Sequence, residues 1–139
     1  MAFREKSAWV MALVLGGAGL WYLNLVVRAW WEIGAVPSPW VVVPFILLVV
    51  VASVVSQVVL AVANREDADA PADERERPII DRAGNWSGLV LGAGAVTAML
   101  HYMAHGDGNL LFHSVMGSLI VASIAEYVFQ IALMRRGYA

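Results

Sequence analysis

Four long apolar stretches, at about 8–28, 40–63, 86–104 and 110–134, alternate with shorter polar ones along the chain. A helix that crosses a bilayer needs about 20 mainly apolar residues, and each stretch is of that order. Inside lipid no water satisfies the backbone, so a spanning segment is a helix or part of a closed barrel. Barrel strands alternate polar and apolar residues, and none of the four stretches does. Even 40–63, rich in Val and Ile, runs on without alternation. The pattern predicts an all-α, polytopic membrane protein of four transmembrane helices arranged as two hairpins.

The breaks between the stretches carry turn chemistry. Pro37 and Pro39 end the first helix and force a turn. Pro44 falls in the first turn of the second helix, where its missing N–H costs least. Gly106-Asp107-Gly108-Asn109 reads as a tight turn between the third and fourth helices. Trp21, Tyr22, Trp30, Trp31 and Trp40 stand where aromatic rings collect at a membrane surface. The start of the chain resembles the charged region of a signal peptide. The apolar run behind it is too long for one and has no small-residue cleavage site, which predicts a retained helix.

Composition supports a single membrane domain over residues 1–139. Of the 139 residues, 60% are hydrophobic and only 14% charged, whereas a soluble domain carries about a quarter charged residues. There is no cysteine, so thiolate chemistry and zinc–thiolate sites are excluded. A net charge of -2 leaves no basic footprint for nucleic acid.

The charges are distributed unevenly. Of nine Lys and Arg, eight (Arg4, Lys6, Arg65, Arg75, Arg77, Arg82, Arg135 and Arg136) fall on the side of the termini and the central polar segment. Only Arg28 falls on the other. The positive-inside bias predicts that both termini and the 64–85 linker are cytoplasmic, as in a bacterial inner membrane. The linker holds seven acids and four arginines, too charged to bury a core. Asp73–Arg77 has the charge pairs of a short helix, which Pro78 ends or restarts. Asp73, Glu74, Arg75 and Arg77 are the candidate residues for a cytoplasmic protein partner; a solvated linker is the competing reading.

The segment Asp73-Glu74-Arg75-Glu76-Arg77-Pro78-Ile79-Ile80-Asp81-Arg82 leads into a spanning helix, and the last helix carries Glu126 and closes on Arg135-Arg136-Gly137. In these features the chain resembles a group of small bacterial four-helix membrane proteins of unassigned function, some encoded beside helix-turn-helix regulators. The resemblance covers the layout of about residues 1–137. It implies an accessory or regulatory role and no activity, substrate or cofactor.

Three further patterns carry candidate chemistry. Glu126 lies nine residues before Arg135, about 13 Å along a helix and so deep in a core of about 30 Å. A carboxylate there is expensive and defaults to a functional hypothesis. Ser123 and Gln130 share its face, and Asn24, Gln57, Ser53 and Ser56 supply polar groups on the first two helices. Together they read either as a proton-coupled transport site or as interhelical hydrogen-bonding glue. His101, His105 and His113 gather at one end with Asp107, Met99, Met103 and Met116. They read as a copper, zinc or haem site, a proton sensor, or interfacial side chains bonded to water; no cofactor is otherwise implied. Gly88-x3-Gly92, and more weakly Ala12-x3-Gly16 and Ser118-x3-Ala122, are close-packing motifs compatible with a tight bundle or a homodimer. Leu13–Gly19 and Leu89–Ala95 match at an offset of 76, either two tandem repeats or chance in a small alphabet.

No Ser–His–Asp order, phosphate loop or close carboxylate pair is present. The sequence therefore predicts a non-enzymatic integral membrane protein that contacts a cytoplasmic partner through 64–85. Its alternatives are a small proton-coupled transporter using Glu126 and a metal- or haem-binding protein using the histidines. The other partners expected are the lipid bilayer and, through the small-residue faces, a second copy of the chain in a homodimer.

Overall fold

Glycine and proline decide where this chain turns. The computed structural model describes residues 3–65, 74 and 76–136. These form α1 (Phe3–Ile33), a single 3-10 turn (Pro39–Val41), α2 (Val42–Ala63), α3 (Glu76–His105) and α4 (Gly108–Arg135), with no strand among the described residues. All four helices are long and apolar enough to cross a membrane. The chain is an all-helical integral membrane protein.

Gly34 and Gly106 end α1 and α3. Each takes a left-handed φ, +71° and +69°, which costs glycine nothing. Each then returns its N–H to a carbonyl of the last turn, Trp30 at 3.0 Å and Tyr102 at 2.7 Å, as left-handed caps do. The next residue, Asp107, opens α4. Its Oδ1 accepts from the N–H groups of Asn109 (2.9 Å) and Leu110 (3.1 Å), satisfying two donors that the first helical turn leaves without partners.

Two helices run beyond their apolar stretches. α1 begins at Phe3 and ends at Ile33, where 8–28 is the expected span, and α3 begins at Glu76 where the expectation is near residue 86. Apolarity marks the membrane; backbone hydrogen bonding continues past it into water. Pro78 does not stop α3, because it is the third helical residue, where the N–H has no intrahelical acceptor to lose. The linker expected over 64–85 is thus shorter, with 76–85 belonging to α3. Asp73 and Arg75 lie outside the described residues; Glu74 and Arg77 are exposed.

The helices pack in the order α2–α1–α4–α3, with α2 and α3 at the edges and not forming a packed pair with each other. A two-fold repeat of α1–α2 on α3–α4 that matched the α1–α4 contact would require that missing pair. Most of the large exposed apolar side chains lie on the spans, Val50, Val54, Val58 and Leu89 among them; in water they would aggregate, and in lipid they meet acyl chains. The main core joins α1, α2 and α4 through Ala18, Tyr22, Val42, Phe45 and Ile120, and a smaller one joins Ile79 and Ala83 of α3 to Leu133 of α4.

Close approach depends on two glycines. A Cβ at Gly19 would sit 2.7 Å from Ile120 Cγ2, and one at Gly94 would sit 2.6 Å from Ser118 Cβ. Both contacts bring a helix against α4. Gly16, Gly88 and Gly92, the glycines of the expected packing motifs, have nothing within 4 Å of an added Cβ. Ser118 and Ala122, of one of the two weaker motifs, do pack: Ser118 meets Gly94, and Ala122 is buried.

Candidate functional site

Three consecutive residues at the start of α1 each hold a different helix. Arg4 Nε pairs with Glu76 Oε2 of α3 at 2.7 Å. Glu5 Oε1 accepts from Arg135 Nε of α4 at 3.0 Å. Lys6 Nζ donates to Asn64 Oδ1, just past α2, at 2.8 Å. Successive helical residues point about 100° apart, so one turn reaches three neighbours. Arg135 also lies over the Trp9 ring, 5.4 Å from its centroid, a cation–π geometry. The next residue, Ser7, donates to Gln57 Oε1 at 2.9 Å. The polar segment between α2 and α3 is therefore gripped at both feet, Asn64 and Glu76, by Lys6 and Arg4.

The expected intramembrane polar set does not converge. Gln130 is buried and reaches Glu126 Oε1 at 3.4 Å, a long and weak bond. Gln57 bonds Ser7 of α1 instead, and its Nε2 and the Ser53 hydroxyl are buried without a partner among the described residues. Asn24 is exposed on α1. Ser56 and Ser123 bond carbonyls of their own helices, Ala52 at 2.6 Å and Leu119 at 2.9 Å. Among these side chains only Gln130 and Glu126 bond each other.

The histidines also separate. His113 is buried, 6% exposed, beside Tyr22 at 2%. Its Nε2 faces the Pro37 carbonyl at 2.9 Å. A carbonyl only accepts, so Nε2 carries the proton. Nδ1 of the neutral ring then accepts from the Tyr22 hydroxyl at 2.6 Å. Both nitrogens are committed, and this clasp ties α1, α4 and the α1–α2 connection together. The Tyr22 ring packs on Phe45 with centroids 4.9 Å apart. His101 and His105 lie elsewhere, stacked on the last turn of α3 with centroids 4.1 Å apart. Among the described residues no three His, Cys, Asp or Glu side chains form a metal-sized group.

Two grooves flank α4. One, of about 280 Å³, runs between α1 and α4 and is almost wholly apolar, with Gly16, Leu20, Tyr22, Gly117 and Val121 in its walls. The other, of about 420 Å³, runs between α3 and α4 past Thr97, His101, Ser114 and Ser118. Thr97 and Ser118 donate their hydroxyl protons to the Ala93 and Ser114 carbonyls at 2.8 Å each, leaving lone pairs towards the groove.

Sequence reasoning left out Glu5, Ser7, Tyr22 and Pro37 as partners. For Glu5 the signal was available: a carboxylate between two cations in one helical turn favours neighbours of alternating sign. No protein-family model, curated protein or solved structure matches the chain.

Proposed function

We propose that this chain is a non-enzymatic accessory or regulatory protein of a bacterial inner membrane that presents its charged central segment to a cytoplasmic protein partner. In this reading the four helices form two hairpins, both termini and residues 64–85 are cytoplasmic, and the turns near 34–39 and 106–107 face outward. The observation that carries it is the grip of Lys6 on Asn64 (2.8 Å) and of Arg4 on Glu76 (2.7 Å). A linker with no role needs no anchoring, whereas a displayed recognition segment gains from it, because fixing its two ends reduces the entropy lost on binding. Eight of nine basic residues on the anchored side support the orientation. The mixed signs of the segment suit a protein surface better than anionic lipid, which attracts a net positive cluster.

Two experiments test the reading. A photoreactive side chain placed at Arg77 is expected to give a discrete protein adduct in native membranes, lost when 66–73 are deleted; an adduct of unchanged yield overturns the docking role. Because the chain has no cysteine, single cysteines report topology directly. Ala70→Cys is expected to resist a membrane-impermeant maleimide in intact cells while Asn109→Cys reacts, and the opposite result reverses the orientation.

A further inference from the structure

His101 and His105 are four residues apart at the end of α3, both exposed, with nearly parallel rings (18°) 4.1 Å apart. His105 Nδ1 lies 3.1 Å from the His101 carbonyl. Since the carbonyl only accepts, Nδ1 carries the proton and Nε2 of the neutral ring keeps its lone pair. This is the arrangement of a metal-ligating histidine, whose second nitrogen donates to a backbone carbonyl and so fixes tautomer and ring direction. Neither ring nitrogen of His101 has a hydrogen-bond partner among the described residues. We propose that His101 and His105 chelate a divalent first-row transition ion through two imidazole nitrogens, at the end of the bundle away from the termini.

The surroundings narrow the ion. Met103 is two residues from each histidine, about 200° around the helix, so its thioether points away from the pair. His113 has both nitrogens committed to Tyr22 and Pro37. The Asp107 Oδ1 is taken by the α4 cap. The protein donors are therefore two neutral nitrogens and no sulfur. Such a set suits copper(II), nickel and zinc, with copper(II) bound tightest by the general order of divalent affinities. It does not suit haem, because two imidazoles on one helix face cannot approach the iron from opposite sides. To share an ion the stacked rings must tilt towards each other, and the exposed His101, which has no ring hydrogen bond among the described residues, can turn to His105. His101 also lines the groove between α3 and α4, which leaves room for water or a small anion to complete the coordination shell. With two protein ligands the site is open and exchangeable.

The test uses the 139-residue chain in phosphatidylcholine nanodiscs, stripped with chelator and titrated with copper(II) chloride and, separately, zinc chloride. Wild type is expected to take up one copper(II) per chain, with an electron paramagnetic resonance spectrum of two equatorial nitrogens. His101→Ala and His105→Ala should each weaken uptake about tenfold or more, since losing a ligand costs at least as much as losing a group that orients one. The double variant should lose the signal, and Met103→Leu should bind as wild type. Circular dichroism verifies that the variants, altered only at exposed positions, remain helical. Wild-type protein that takes up neither ion, or a folded double variant that binds as wild type does, overturns the proposal.

Discussion

Replacing Tyr22 with Phe removes one oxygen and tests the buried clasp directly. The ring stays, so its packing on Phe45 at 4.9 Å is kept. The loss is the 2.6 Å hydrogen bond to His113 Nδ1. That nitrogen cannot turn to a new donor without surrendering the Pro37 bond made by Nε2 at 2.9 Å. With His113 6% exposed, water reaches it poorly. A buried acceptor left unsatisfied costs about 1–3 kcal/mol. Polar pairs between membrane helices couple by about 0.6 kcal/mol on average and about 1.7 at most, because the unfolded helices also find partners. The closed geometry here places Tyr22→Phe near the upper limit, at about 1.5 kcal/mol, a little over tenfold in the unfolding equilibrium. His113→Ala should cost more, about 3 kcal/mol, since it opens a cavity and also releases Pro37. The double variant isolates the pair, and its coupling energy should be about 1 to 1.5 kcal/mol. The assay is reversible unfolding in mixed micelles by increasing sodium dodecyl sulfate, followed by fluorescence of the six tryptophans. A coupling energy below about 0.3 kcal/mol, the usual scatter for independent sites, would refute the clasp.

Three other outcomes follow from the packing and the polar contacts. Gly94→Ala should destabilise by about 1–3 kcal/mol by overpacking against Ser118, while Gly92→Ala should be neutral or stabilising by up to about 1 kcal/mol; the same unfolding assay decides, and equal effects would contradict the helix positions. Glu5→Ala should cost only about 0.2–1 kcal/mol because Arg135 is well exposed; Glu5→Arg with Arg135→Glu should recover most of the loss seen in either reversal alone, and an absence of recovery argues against the contact. Glu126→Gln should leave stability within about 0.5 kcal/mol, its one hydrogen bond being 3.4 Å long; if proteoliposome proton flux is present and disappears in this variant, the transport alternative displaces the docking role.

Much of the fold was readable because membrane burial is governed by long apolar runs. The cores of all four spans lie where the residue pattern places them, and the two turns fall within the expected 28–39 and 106–109 but are shorter, because α1 runs on to Ile33 and α4 starts at Gly108. The helix ends were not readable, since charged residues such as Glu76 and Asp81 suit a solvated helix as well as a loop. Packing was hidden for a different reason. Gly88 and Gly92 have the spacing of a contact motif and face open space, while Gly19 and Gly94 carry the contacts. Spacing marks a helix face, and only the neighbour's position decides whether that face is used. His113 shows the same limit: three histidines close in sequence share chemistry, but one belongs to the core and two to the last turn of α3. Within the polar set Gln57 bonds Ser7, Glu126 bonds Gln130 and Asn24 is exposed, pairings that helical spacing alone does not reveal.

The grip of Arg4, Glu5 and Lys6 also bears on the order of assembly. Its bonds join residues far apart in the chain, with separations of 58 for Lys6 to Asn64 and 130 for Glu5 to Arg135. Contacts so distant along the chain form late, and Glu5 meets Arg135 only after all four helices have been made. The first turn of α1 is therefore satisfied only once α4 is in place. Until α4 has packed, Glu5 has only its sequence neighbours Arg4 and Lys6 to balance it, a local mark that distinguishes a half-assembled bundle from a finished one.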